Sequence, residues 1–192
     1  MKLKVITTTI LFVILSFGLS VAADNNKPIP YGRVPLLNGK IDKKEWDTDK
    51  VCTIDSQNVT ISLKQDSFFV YLGITNNSIK NSGVDIYLNN MSRDTVMFHI
   101  SAAHGQRFFK NNTWSETTWG ASGLWTSNLV EMIVGEDGNS FIYPEIFECQ
   151  ISKKFLSKDK FKLMLRMKRP DNWVPPNADT LSSAGWFQFR LH

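Results

Sequence analysis

The chain has 192 residues, with 22 Lys and Arg against 18 Asp and Glu and a formal charge of +4. Lys2 and Lys4 stand at the very start, so the rest holds only +2, too little to point to nucleic acid as a partner. The length suits one domain around a single core, and the 12% of aromatic residues serves cores and ligand platforms alike.

Lys2 and Lys4 precede an apolar run from Val5 to Val21, and Ser20-Val21-Ala22 or Val21-Ala22-Ala23 offers the small residues that a signal peptidase reads. Residues 1–23 thus have the layout of a cleavable secretory signal. Their strongest apolar stretch, Ile10 to Val21, is about half of the roughly 20 residues that a membrane-spanning helix needs. The expected mature protein is secreted or periplasmic, with no membrane span after cleavage. Asp24 to Pro35 is polar, carries three prolines and reads as a leader arm to a domain over 36–192.

Asn38-Gly39 is a turn signal. Asp42 and Glu45 form a capping-box pattern, and Ile41 and Trp46 fall at the staple positions, predicting a short helical turn pinned by Trp46. After it the period changes to two. Val59, Ile61 and Leu63 alternate with Thr60, Ser62 and Lys64, and Phe68 to Ile74 is nearly continuous in apolar residues. Val84, Ile86 and Leu88 alternate with Asp85, Tyr87 and Asn89. Val96, Phe98 and Ile100 alternate with Met97, His99 and Ser101. Further strands are predicted over Val130–Val134, Phe141–Ile151, Phe161–Lys168 and Trp186–Leu191, with a hairpin turn at Glu136-Asp137-Gly138-Asn139. Ser152 to Leu156 reads as one helical turn. Long apolar stripes at helical spacing are absent. The pattern predicts an all-β fold, a single antiparallel, jelly-roll-like β-sandwich. Asn111–Trp125 and Pro170–Ala184 break it and read as long loops of the kind that carry function.

From Asn38 to Trp46 the chain reads Asn-Gly-x-x-Asp-x-x-Glu-Trp. Phe68-Phe69-Val70-Tyr71-Leu72, Ser82-Gly83-Val84-Asp85-Ile86-Tyr87-Leu88, Glu145 to Ile151 with Glu148 and Ile151, and Trp186-Phe187-Gln188-Phe189-Arg190-Leu191 follow in order. In these landmarks the chain resembles the family 9-type carbohydrate-binding modules and the wider group of DOMON-like sandwiches. Asn38 replaces the usual first Asp, and Ser152 stands where Pro is common. The resemblance covers most of the mature chain. It implies non-catalytic binding of an oligo- or polysaccharide, clamped between tryptophans with Asn and Arg nearby.

Sugar recognition needs flat aromatic faces for the C–H side of a pyranose and a few fixed polar groups for its hydroxyls. Trp114, Trp119, Trp125 and Trp173 lie in the two irregular stretches, with Arg107 and Asn172 close in sequence. These six are the candidate carbohydrate-binding residues. Trp46 and Trp186 are expected in the core. Asp85, Tyr87 and Asn89, beside Met97, His99 and Ser101, make either a binding floor or a solvated face. Lys162, Arg166 and Lys168 form a basic strand face, which suits water, an anionic glycan or a membrane surface.

Cys52 and Cys149 both follow the signal. An oxidising compartment allows them to pair; the other reading is two free thiols on separate strands. The histidines are His99, His104 and His192, and no His-Glu-x-x-His, nucleophile elbow or P-loop occurs. Glu145 and Glu148, three apart on an expected strand, face opposite sides and make a poor glycosidase pair. No enzyme and no cofactor is expected. Loop Asp and Asn residues leave a structural calcium ion open, since the resembled family often carries one, although no EF-hand-like spacing occurs. Two alternatives remain: a structural or interaction protein of the cell envelope, and a haem-binding electron carrier using Met91, Met97, His99 or His104.

Overall fold

The computed structural model describes residues 26–46, 51–91, 94–156 and 159–192. The expected signal, residues 1–23, lies outside them. The fold is all-β, as predicted, and two antiparallel sheets pack face to face. Strands are numbered in chain order. The larger sheet runs β1 (Lys27–Pro28), β16 (Phe187–Arg190), β14 (Lys160–Lys168), β5 (Gly83–Asn89), β6 (Thr95–Ile100), β7 (His104–Lys110) and β8 (Thr113–Trp114). In addition, β15 (Asn172–Val174) pairs with β14, and β9 (Thr118–Trp119) pairs with β7. The smaller sheet runs β10 (Trp125–Ser127), β13 (Phe147–Ser152), β4 (Phe69–Asn76), β3 (Val59–Gln65) and β2 (Cys52–Ser56). A separate hairpin joins β11 (Glu131–Gly135) to β12 (Gly138–Ile142).

The period-two alternation sorts side chains to two faces of each sheet. Val84, Ile86, Leu88, Val96, Phe98, Ile100, Phe161, Leu163, Leu165, Met167 and Phe189 point inward from the larger sheet. Val59, Ile61, Leu63, Val70, Leu72, Ile74, Phe147 and Ile151 answer them from the smaller one. Trp125 closes this core, stacked on Phe98 with ring centroids 4.5 Å apart.

The expected leader arm is stitched to both sheets. β1 runs parallel to β16, Ile29 is fully buried, and Tyr31 bridges to Gln65 of β3. The turn at Asp42 forms: its carboxylate accepts from the Lys44 N–H at 2.8 Å, and the Trp46 N–H donates to the Asp42 carbonyl at 2.9 Å. The other half of the predicted box does not. Glu45 accepts instead from the Leu36 N–H at 3.4 Å, and Ile41 is exposed, so no staple closes on Trp46.

Trp46 lies over Gly73 on the outer face of the smaller sheet, where a Cβ would come within 3.0 Å of the indole. Beside Gly73 in register stands Glu148, fully buried. Its carboxylate accepts from the Gly39 N–H and from Trp46 Nε1–H, each at 2.8 Å. Gly39 has φ +74°, and a Cβ there would meet Asn128 at 2.7 Å, so the tight turn requires glycine. The landmarks at 38–46 and 145–151 therefore form one plug that covers this face.

Cys52 and Cys149 are not bridged. Cys52 sits opposite Leu63, Leu63 opposite Leu72, and Leu72 opposite Cys149, all on one sheet. Three strand spacings, roughly 14 Å, separate them, about twice the reach of a disulfide. The two expected long loops also carry strands: β8 and β9 in the first, β15 in the second. The strand predicted over Phe141–Ile151 breaks into β12 and β13, with Pro144 in the gap.

Candidate functional site

The outer face of the larger sheet is not plugged in the same way. Register fixes its side chains in rows. One row reads Trp173, Arg166, Asp85, His99, Gly105 and Trp119 across β15, β14, β5, β6, β7 and β9. The next reads Met164, Tyr87, Met97 and Arg107. A third reads Gln188, Lys162, Asn89, Thr95, Phe109 and Trp114.

Tyr87, Met97, Met164 and Trp186 form a second apolar cluster here, with Trp114, Trp173 and Ala178 half-buried against it. Tyr87 is its centre. Its ring centroid lies 5.7 Å from Trp114, 6.0 Å from Trp173 and 6.2 Å from Trp186. Trp186 is 2% exposed, and its Nε1–H donates to the Asp179 carbonyl at 3.0 Å, so it serves as foundation. Trp119 is 66% exposed and stands edge-on to His99 at 6.0 Å. It fits because Gly105 has no side chain: a Cβ there would come within 3.2 Å of the indole. From Trp173 to Trp119 the row crosses five strand spacings, on the order of 24 Å.

Polar groups are fixed among these rings. The Arg166 guanidinium lies 5.0 Å over Trp173 and is paired with Asp171. Arg107 lies 5.7 Å from the Trp114 ring and donates through Nε to the Ser115 carbonyl at 2.8 Å. Asp85, 4% exposed, is held by His99 Nδ1 at 2.6 Å and Lys168 Nζ at 2.7 Å. The Tyr87 phenol is pushed up to about 12, first by burial and then by the Asp85 charge, against the pull of Arg166 and Arg107.

Asp85, His99 and Ser101 stand in the order of an acyl-transfer triad, with His99 Nε2 2.9 Å from Ser101 Oγ. That hydroxyl is nevertheless turned into its own loop, where it accepts from the Ala103 N–H at 3.3 Å. His99 and His104 do not share a site. His99 faces outward, whereas His104 faces the core, 2.7 Å from Ser127 Oγ and edge-on to Trp125 at 5.0 Å. With Met97 beside His99 on the same face, these groups do not form the opposed walls that a haem requires. Among the described residues no three His, Cys, Asp or Glu converge as a metal site.

Of the six candidates from sequence, Trp114, Trp119, Trp173 and Arg107 share this face. Trp125 does not; it belongs to the core between the sheets. Asn172 does not either, because it is registered with Met167, an inward-facing position. Tyr87 and Asp85 were legible as an alternating face that reads either as a binding floor or as a solvated surface, and Arg166 as part of a basic face; the structure places all three on the outer face of the larger sheet. Two clefts lie elsewhere, one of about 190 Å³ beside Ile41, Lys80 and Glu145 and one of about 500 Å³ beside Phe68, Leu124 and Lys153. The aromatic site is an open surface.

No protein-family model matches the chain, and no curated protein does. One solved structure, a Bacteroides uniformis protein to which carbohydrate binding is ascribed, matches over 88% of this chain and 100% of its own. The identity is 9% and the TM-score 0.49. At those values the likeness carries no argument about function.

Proposed function

We propose that this protein is a non-catalytic carbohydrate-binding domain of an exported chain, holding an oligo- or polysaccharide on the outer face of its larger sheet. One observation carries the reading. Half-buried Trp114 and Trp173 flank the buried Tyr87 in one aromatic patch, continued by the exposed Trp119, and Arg107 and Arg166 lie over the two flanking indoles. Aromatic faces of this kind stack against pyranose C–H groups while nearby donors take the hydroxyls. The open shape suits a chain that lies along the sheet. Asp85 and His99 position the patch. A fluorophosphonate probe that labels Ser101 would overturn the non-catalytic part of the reading.

A glycan array followed by tryptophan fluorescence tests it. Binding should quench or shift the emission, and Trp173→Ala and Trp119→Ala should each weaken it. If no glycan changes the emission, the reading fails. A second reading, an envelope interaction protein, is favoured by the hairpin β11–β12, which exposes Met132, Ile133, Val134, Phe141 and Ile142. In that reading the tryptophan variants change nothing.

A further inference from the structure

We infer that the glycan is anionic, with a carboxylate or sulfate group seated over Tyr87 between Arg107 and Arg166. This rests on the carbohydrate reading above and narrows its ligand.

The charge on the face is one-sided. The outward side chains of its strands include Arg107, Lys160, Lys162, Arg166, Lys168 and Arg190, against a single carboxylate, Asp85. Asp85 is already shared by Lys168 and His99. Glu116, Asp171 and Asp179 lie in the loops around the rim, and Asp171 is taken by Arg166. Arg107 and Lys162 pair with no carboxylate among the described residues; each donates to a backbone carbonyl, of Ser115 and Ser183. The face therefore keeps uncompensated positive charge, although the chain after the signal is nearly neutral.

The two arginines are also placed alike. Each lies over a tryptophan, and both tryptophans flank Tyr87. Both guanidinium charges act on the Tyr87 hydroxyl. Each guanidinium lies over an indole and is held at one edge, Arg107 by the Ser115 carbonyl and Arg166 by Asp171, and a guanidinium held in this way favours planar oxyanions. A neutral sugar needs aromatic faces and mixed polar groups; it does not need two guanidiniums on either side of one phenol.

Direct titration of the full mature chain would compare four probes: oligogalacturonate, its methyl ester, a sulfated carrageenan oligosaccharide, and phosphatidylglycerol vesicles. Binding of oligogalacturonate or the carrageenan fragment, with the methyl ester at least about tenfold weaker, supports the inference, and the preferred probe distinguishes carboxylate from sulfate. Arg107→Gln should weaken that binding about tenfold, and Arg107→Lys should restore only part of it. Urea unfolding of each variant verifies that the fold is kept. If the methyl ester binds as tightly as the acid, and Arg107→Gln changes nothing while Trp173→Ala abolishes binding, the anionic inference is wrong and the carbohydrate reading stands. If no glycan binds, charged or neutral, both fall. Vesicle binding without glycan binding also overturns both.

Discussion

Replacing Glu148 by Ala removes the acceptor for two buried donors, the Gly39 N–H and Trp46 Nε1–H. A buried donor left without a partner costs about 1–3 kcal/mol, so the pair costs about 2–6 kcal/mol, and relief of the desolvated carboxylate offsets part of it. We expect a net loss of about 3 kcal/mol. With an m-value of about 2 kcal/mol/M for a domain of this size, the urea midpoint should fall by about 1.5 M. Glu148→Gln should also destabilise, because its amide would place a donor against one of the two N–H groups. The pH dependence adds a second test. Burial raises the Glu148 carboxyl above its ordinary 4.5, against the pull of its hydrogen bonds. A raised acid contributes stability that is complete below the ordinary value and is lost as pH rises through the folded one. The deficit of Glu148→Ala should therefore be larger in acid than at neutral pH. A midpoint shift below about 0.3 M, or a deficit that grows with pH, would refute the reasoning.

The other perturbations separate core from surface. Trp125→Ala should cost about 3–5 kcal/mol in urea unfolding, whereas Trp119→Ala should stay within about 0.5 kcal/mol and act on glycan binding alone. Burial raises both thiols; in the native state Cys149 should resist iodoacetamide, and after unfolding both should alkylate without reductant. An oxidised pair by mass spectrometry would contradict the register. The Tyr87 phenol titrates near 12 when folded, against an ordinary 10.0. Its contribution is full below about 10 and is lost through about 12, so Tyr87→Phe should flatten the alkaline loss of stability.

The sandwich was legible because alternation is local. Val84-Asp85-Ile86-Tyr87-Leu88 declares two faces whatever it packs against, and the core follows. What the sequence could not show is which outer face is covered. The plug around Glu148 depends on the 39–46 segment, Gly73 and Glu148 itself meeting from three distant positions, and no local pattern encodes that. The same limit governs the candidate site. Trp125 and Trp119 sit six residues apart in one aromatic stretch, yet one is core and one is exposed, because β9 and β10 enter different sheets. Asn172 adjoins Trp173 in sequence and therefore points the other way on a strand. Cys52 and Cys149 appeared pairable until the register placed β3 and β4 between them.

The central claim is that a glycan lies on the outer face of the larger sheet. Labelling the six tryptophans with ¹⁵N gives one indole signal for each, and titration with the best-binding glycan of the array reads the site directly. The signals of Trp114, Trp119 and Trp173 should move, while those of Trp46 and Trp125 stay in place. A bound glycan that leaves the first three unmoved would contradict the account.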